Sequence, residues 1–111
     1  MIRVLYPDGR LRFPAPSDLT PGTIVTRPDG SLAYFDGLEN AAAGDEISPE
    51  PLHPTPIVAV PKSAAADAFA AGDDVSIGGD GKKAVTGAGR KIGVAALAAA
   101  AGSTEVLVRY T

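Results

Sequence analysis

One short phrase of alanines and a glycine ends three apolar runs of this 111-residue chain. Its copies are Ala42-Ala43-Gly44-Asp45, Ala70-Ala71-Gly72-Asp73 and Ala100-Ala101-Gly102-Ser103. The alanines can close one helical turn, and the glycine can adopt the left-handed conformation that a Cβ would penalise. The following Asp or Ser can then hydrogen-bond its own backbone. Because β-favouring residues come next, the phrase predicts a turn that leads into a strand.

Glycine and proline divide the chain into short pieces. The 13 glycines and 10 prolines form about a fifth of the sequence, against roughly 12% in average proteins. The Asp-Gly turns at Asp8-Gly9, Asp29-Gly30 and Asp80-Gly81 are typical of hairpin tips. They predict hairpins that join residues 2–6 to 11–13, 23–27 to 31–35 and 75–77 to 83–86. Further strands are predicted at residues 57–60, 92–95 and 105–110.

One short α-helix is predicted over residues 64–71. Ser63 can cap its first turn, Gly72 lies just beyond its end, and Phe69 is the one bulky side chain that it offers to the core. The proline-rich residues 48–56 and the residues 13–21 are predicted to be extended segments on the surface.

The pieces of the first half recur in the same order in the second half. Pro21-Gly22-Thr23-Ile24-Val25 corresponds to Ala71-Gly72-Asp73-Asp74-Val75, and Glu46-Ile47 corresponds to Glu105-Val106. We therefore predict one mainly β domain over residues 1–111, a small β-barrel or sandwich of short strands and hairpins in two related halves. Low-complexity alanine can imitate such a repeat, so a match that arises from alanine-rich sequence alone stays open as the alternative.

Composition argues against several classes of function. The chain has no cysteine, a formal net charge of -3 and no basic block, which argues against cysteine-based metal sites and nucleic-acid binding. Its longest apolar run, residues 94–101, is far shorter than the roughly 20 residues that span a bilayer. The apolar stretch at the N-terminus is too short for a signal peptide. We expect a soluble protein that is made in the cytosol, with no membrane and no nucleic acid as partner.

Few residues suggest chemistry. His53 is the one histidine, and it lacks the partners that a catalytic base or a metal site would need. Asp73, Asp74 and Asp80 lack the spacing of a calcium loop, so turn chemistry explains them better. We predict no catalytic residue, no metal and no cofactor. The basic Lys82-Lys83 either contacts an acidic partner or is simply solvated.

The second half contains residues that resemble a known family. Val58-Ala59-Val60-Pro61-Lys62, Lys91-Ile92-Gly93-Val94-Ala95 and Val106-Leu107-Val108-Arg109, with the alanine stretch that ends at Gly102, are similar in order and spacing to the tailed-phage capsid decoration or cement proteins of the DUF2190 family. The resemblance covers about half of the chain, and it departs from the family pattern at the extra prolines of residues 52–56.

The resemblance implies a structural protein on the outer surface of a phage head. Its expected partners are the major capsid protein, which has the HK97 fold, and two further copies of itself in a homotrimer. The extended segments and the alanine stretch are candidate contact regions because extended arms and small side chains let another backbone approach closely. The candidate residues for contact with the capsid or another subunit are Phe13, Pro14, Pro16, Leu52, Pro54, Ala98 and Ala99.

Three alternatives stay open. The extended segments can be plain linkers rather than arms. The domain can serve as the base of a phage fibre or spike adaptor. A small ligand-binding or enzymatic β-barrel is the third, and it would need a concave site with convergent polar groups, which these residues do not suggest.

Overall fold

The computed structural model describes residues 2–64, 66–78, 84–86 and 89–111, and in these residues it contains strands, turns and no helix. The strands are β1 (Arg3–Tyr6), β2 (Phe13–Pro14), β3 (Ile24–Thr26), β4 (Leu32–Tyr34), β5 (Glu46–Ile47), β6 (Glu50–Pro51), β7 (Ile57–Pro61), β8 (Asp74–Ile77), β9 (Ala84–Val85), β10 (Arg90–Ala95) and β11 (Glu105–Tyr110). The predicted mainly β fold is confirmed.

The largest sheet has six antiparallel strands in the order β1-β7-β11-β10-β8-β9. Strand β7, between β1 and β11, buries four consecutive residues, 57–60, as expected of a strand covered on both faces. In β11 the alternation of side chains buries Val106 and Val108 and leaves their neighbours only partly buried. The strands predicted at residues 57–60, 92–95 and 105–110 are therefore confirmed.

Two smaller sheets complete the fold. Strand β2 pairs with β5, and β3, β4 and β6 form a three-stranded sheet. Strands β3 and β4 form the hairpin that the Asp29-Gly30 turn predicts. Leu11, Phe13, Val25, Phe35 and Ile47 belong to the apolar core cluster on this side of the molecule, and Phe69 belongs to the second cluster, beneath the large sheet.

The predicted repeat is visible in the backbone hydrogen bonds. Leu19 and Ala41 form an isolated bridge in the first half, as Phe69 and Ala99 do in the second. The N–H of Gly22 donates to Phe35 at 2.8 Å, and the N–H of Gly72 donates to Ala95 at 2.8 Å. Strand β3 thus corresponds to β8, β4 to β10, and β5 with β6 to the single strand β11.

The alanine phrases form turns, as predicted. Their glycines have φ values of 89° at Gly44, 88° at Gly72 and 92° at Gly102, all in the left-handed region. The carboxylates of Asp45 and Asp73 each accept the backbone N–H three residues earlier at 2.9 Å. Each phrase therefore reverses the chain with its own polar groups satisfied.

The predicted helix over residues 64–71 is wrong. In the described part of this segment, the N–H of Phe69 donates to Ala99 at 2.9 Å and the N–H of Ala99 donates back at 2.8 Å. This remote pairing takes the backbone groups that a helix would need, and an isolated helix of eight residues is marginal in water. Ala65, within the predicted helix, lies outside the described residues.

Two further expectations need correction. The first predicted hairpin does not form, because β1 pairs with β7 and β2 pairs with β5, although the turn at Asp8-Gly9 is present. The barrel is also wrong: the large sheet ends at β1 and β9, and an isolated bridge from Lys62 to Ala84 does not close it. The third hairpin pairs β8 with β9, while its tip at Asp80-Gly81, and Lys82-Lys83, lie outside the described residues.

Candidate functional site

The three-stranded sheet of β3, β4 and β6 has one buried and one exposed face. Val25, Ala33 and Pro51 face the interior. Because side chains alternate along a strand, their neighbours in sequence face outward. These outward residues include four large apolar side chains, Ile24, Leu32, Tyr34 and Leu52, which we call the exposed apolar face.

The four side chains lie next to one another in the strand register. Ile24 stands opposite Tyr34 in the β3–β4 pair, and the N–H of Leu52 donates to the carbonyl of Leu32 at 3.1 Å. Their exposed fractions are 50% for Ile24, 46% for Leu32, 40% for Tyr34 and 44% for Leu52. Glu50, opposite Tyr34, is the charged neighbour within the sheet. A contiguous apolar patch of this kind marks an interaction surface more often than scattered single residues do.

The exposed apolar face is held rigidly from below. At the tip of the β3–β4 hairpin, the fully buried carboxylate of Asp29 accepts hydrogen bonds from Nε of Arg109 at 2.7 Å and from the N–H of Ser31 at 2.9 Å. The buried Arg27 donates to the carbonyl of Gly9 at 2.6 Å and to Oγ of Ser31 at 2.8 Å. The hairpin is thereby fixed to β11 of the large sheet.

The charges of this cluster are balanced by one another. Burial raises the pKa of Asp29, but hydrogen bonds from Ser31 and Arg109 outweigh it, so its pKa lies below the ordinary value of 3.8. Burial lowers the pKa of Arg27, and Asp29 opposes that effect from 3.9 Å. An ionised carboxylate between two guanidinium groups thus stabilises the junction between the two halves.

The structure places the predicted contact residues in two environments. Phe13 and Ala99 are buried, and each belongs to a different core cluster of the chain. The other five, Pro14, Pro16, Leu52, Pro54 and Ala98, are exposed. Of these, Leu52 lies on the exposed apolar face, so it is the candidate that the structure joins to other apolar side chains.

Sequence reasoning missed Ile24, Leu32 and Tyr34. Their signal is nonetheless present, because the hairpin has large apolar residues at consecutive positions rather than at every second one. A strand with one buried face and one solvent-exposed face should alternate apolar and polar residues. Successive apolar residues in such a strand therefore indicate that its second face is also apolar and that the protein's own core does not cover it.

The described residues contain no group of three or more His, Asp or Glu side chains that could hold a metal ion. His53 is exposed. A shallow depression beside Leu19 and Ala41 includes Asp18 and Asp45, but each of these carboxylates accepts a backbone N–H at 2.9 Å. Their geometry is therefore that of turn residues, as it is for Asp73. In the described ranges, no helix has the length and apolar character needed to cross a bilayer.

Comparison with known proteins gives one informative result. Residues 8–110 match the family model of the phage cement protein, which covers nearly the whole chain. Searches of curated proteins and of solved structures give no match.

Proposed function

Because this chain belongs to the phage cement protein family, we propose that it binds the outer surface of an HK97-fold capsid and stabilises the assembled shell there. The family assigns a structural role in the phage capsid. The observation that supports contact with the shell is the exposed apolar face of Ile24, Leu32, Tyr34 and Leu52, which lies on a hairpin that Asp29 and Arg109 fix to the large sheet.

The physical basis of the proposed contact is apolar burial. Covering four half-exposed apolar side chains removes apolar area from water, at roughly 25 cal/mol per Å². Ordering costs are small because Asp29 and Arg109 already fix the hairpin. A preformed face of this kind suits a protein that must bind many equivalent positions on a shell.

We further propose that the protein acts as a homotrimer on the shell, with the major capsid protein as its partner. One domain of this size makes few contacts, and linking three copies raises the effective concentration of each for its own site. The extended prolines Pro14, Pro16 and Pro54, together with Ala98, are exposed and available for such contacts. This role requires no catalytic group and no cofactor.

Sedimentation with shells tests the proposal. Purified protein is mixed with mature shells of the cognate phage assembled without it, and the shells are pelleted and then heated. We expect saturable co-sedimentation in stoichiometric proportion to shell subunits and a higher temperature of shell disruption. If the protein fails to co-sediment with shells at every salt concentration tested, the proposed function is contradicted. Cryo-EM density for isolated monomers away from symmetry axes would contradict the trimer.

A further inference from the structure

The two halves of the chain differ at one corresponding sheet edge. In the second half, β9 covers the outer edge of β8, with Ser76 opposite Val85 and Ile77 opposite Ala84. Strand β3 corresponds to β8, and Thr26 of β3 corresponds to Ser76. Within the part of the chain that the structure describes, β3 pairs with β4 alone, and its other edge has no strand.

The backbone of β3 offers hydrogen-bonding groups at this open edge. The N–H of Phe35 donates to Thr23 at 2.8 Å, and the N–H of Arg27 donates to Ser31 at 2.7 Å. In an antiparallel pair, alternate residues bond the partner strand. Residues 23, 25 and 27 therefore face β4, and the N–H and C=O groups of Ile24 and Thr26 point outward.

Natural sheet edges are protected from association by short strands, lysine, proline, a bulge or an inward-pointing charge. Strand β3 is short, and the buried Arg27 and then Pro28 follow it. Within β3 itself, Ile24, Val25 and Thr26 carry no charge and no proline, pair with β4 without a register shift, and include the half-exposed side chain of Ile24. The edge is continuous with the exposed apolar face, so a strand added here would also reach the side chains of Ile24 and Tyr34.

We propose that the outer edge of β3 accepts an extended strand of the major capsid protein, on the side that corresponds to the one where β9 pairs with β8; the two positions overlap at Thr26, the counterpart of Ser76. This proposal rests on the proposed function, because the family match makes the shell the partner. The added strand hydrogen-bonds the backbone of Ile24 and Thr26 and places uncharged side chains toward the exposed apolar face, where Glu50 is the one charged residue of the sheet. Main-chain bonds then provide affinity and the apolar face provides specificity.

Amide hydrogen exchange tests this assignment directly. Amide hydrogens are allowed to exchange with deuterium in the free protein and in the protein bound to cognate shells. Exchange is then quenched, the bound protein is released from the shells, and NMR measures the exchange at individual amides. In the free protein we expect fast exchange at Ile24 and Thr26 and slow exchange at Val25. On the shell, exchange at Ile24 and Thr26 should slow by about tenfold or more, since each amide gains a hydrogen bond.

A pair of variants provides an independent measurement. Thr26→Pro removes the outward N–H while leaving the bonds of Val25 to β4, a position where edge strands tolerate proline. Thr26→Val keeps the N–H and serves as the matched control. With circular dichroism confirming both folds, we expect Thr26→Pro to bind shells at least about tenfold more weakly and Thr26→Val to bind like the wild type.

The outcomes separate this proposal from the function on which it rests. Co-sedimentation of the wild type without protection of Ile24 and Thr26 overturns the strand addition and leaves shell binding intact. Protection that develops with protein concentration in the absence of shells assigns the edge to a second copy and also overturns the proposal. If the wild type fails to sediment with shells, both the function and this assignment fall.

Discussion

Asp29 and Arg109 are 80 positions apart in the sequence, and the Oδ2 atom of Asp29 accepts a hydrogen bond from Nε of Arg109 at 2.7 Å. Asp29 lies at the tip of the β3–β4 hairpin, and Arg109 lies in β11 of the large sheet. The side chain of Asp29 is fully buried there. This contact joins the two related halves, and it positions the exposed apolar face relative to the rest of the molecule.

Removal of the Asp29 carboxylate should destabilise the fold strongly. Asp29→Ala leaves the buried Arg27 and the partly buried Arg109 without their counter-ion, and breaking a buried pair costs about 3–5 kcal/mol. Asp74→Ala is the matched control, because Asp74 pairs with Lys91 at the exposed surface and such pairs contribute less than about 1 kcal/mol. Urea unfolding measures both values, and equal losses in the two variants would contradict the role of Asp29.

The same carboxylate predicts a pH dependence. The pKa of Asp29 is lower in the folded state than its ordinary value of 3.8, so its contribution to stability is complete above that value and is lost as the pH falls through the lower, folded pKa. Asp29→Asn should lack this contribution. We therefore expect the difference in unfolding free energy between wild type and Asp29→Asn to shrink between about pH 5 and pH 2.

Asp36 provides the internal comparison for this titration. Its pKa is lowered chiefly by the hydrogen bond from Arg10, yet its side chain is one-third exposed. Solvent screening therefore limits its contribution, and Asp36→Asn should differ little from the wild type at any pH. A difference for Asp29→Asn that stays constant from pH 7 to pH 2 would be inconsistent with the assignment.

Gly93 is required by the close approach of β10 and β11. A Cβ at this position would overlap the carbonyl oxygen of Arg109 and stand 2.9 Å from Cα of Tyr110, both backbone atoms. Since backbone in a central strand cannot move aside, we expect Gly93→Ala to lose about 3 kcal/mol or more. In Gly44→Ala the new Cβ meets nothing within 4 Å, so only backbone strain of about 1–2 kcal/mol remains. Similar midpoints of urea unfolding for the two variants would refute this ranking.

Local signals predict most of the strands and fail where remote segments compete. The Asp29-Gly30 hairpin and the left-handed Gly44, Gly72 and Gly102 follow from turn chemistry, which acts within a few residues. The helix prediction over residues 64–71 fails because Ala99, thirty positions after Phe69, bonds the backbone of that segment. The first hairpin fails for the same reason, since β7 pairs with β1 and β5 pairs with β2, in place of the expected pairing between neighbours in sequence.

The candidate site was predictable in part. The extended, proline-rich segment predicts Leu52 as a contact residue, and the structure places Leu52 beside Leu32 on the exposed apolar face. The other extended segment predicts Phe13 as a contact residue, but its side chain lies in the core, because β2 pairs with β5 and turns Phe13 inward. The open edge of β3 follows only from comparison of the two folded halves, since no local pattern states which strand lacks a neighbour.

The exposed apolar face gives the most direct test of shell contact. Leu52→Glu places a charge among Ile24, Leu32 and Tyr34, and a buried unpaired charge opposes association. We expect its affinity for cognate shells to fall by about tenfold or more, while its stability changes little because Leu52 is already 44% exposed. Leu38→Glu is the matched control, since Leu38 is 98% exposed and lies outside this sheet. Co-sedimentation titrations compare the two variants; if Leu52→Glu binds as tightly as Leu38→Glu and the wild type, the exposed apolar face does not contact the shell.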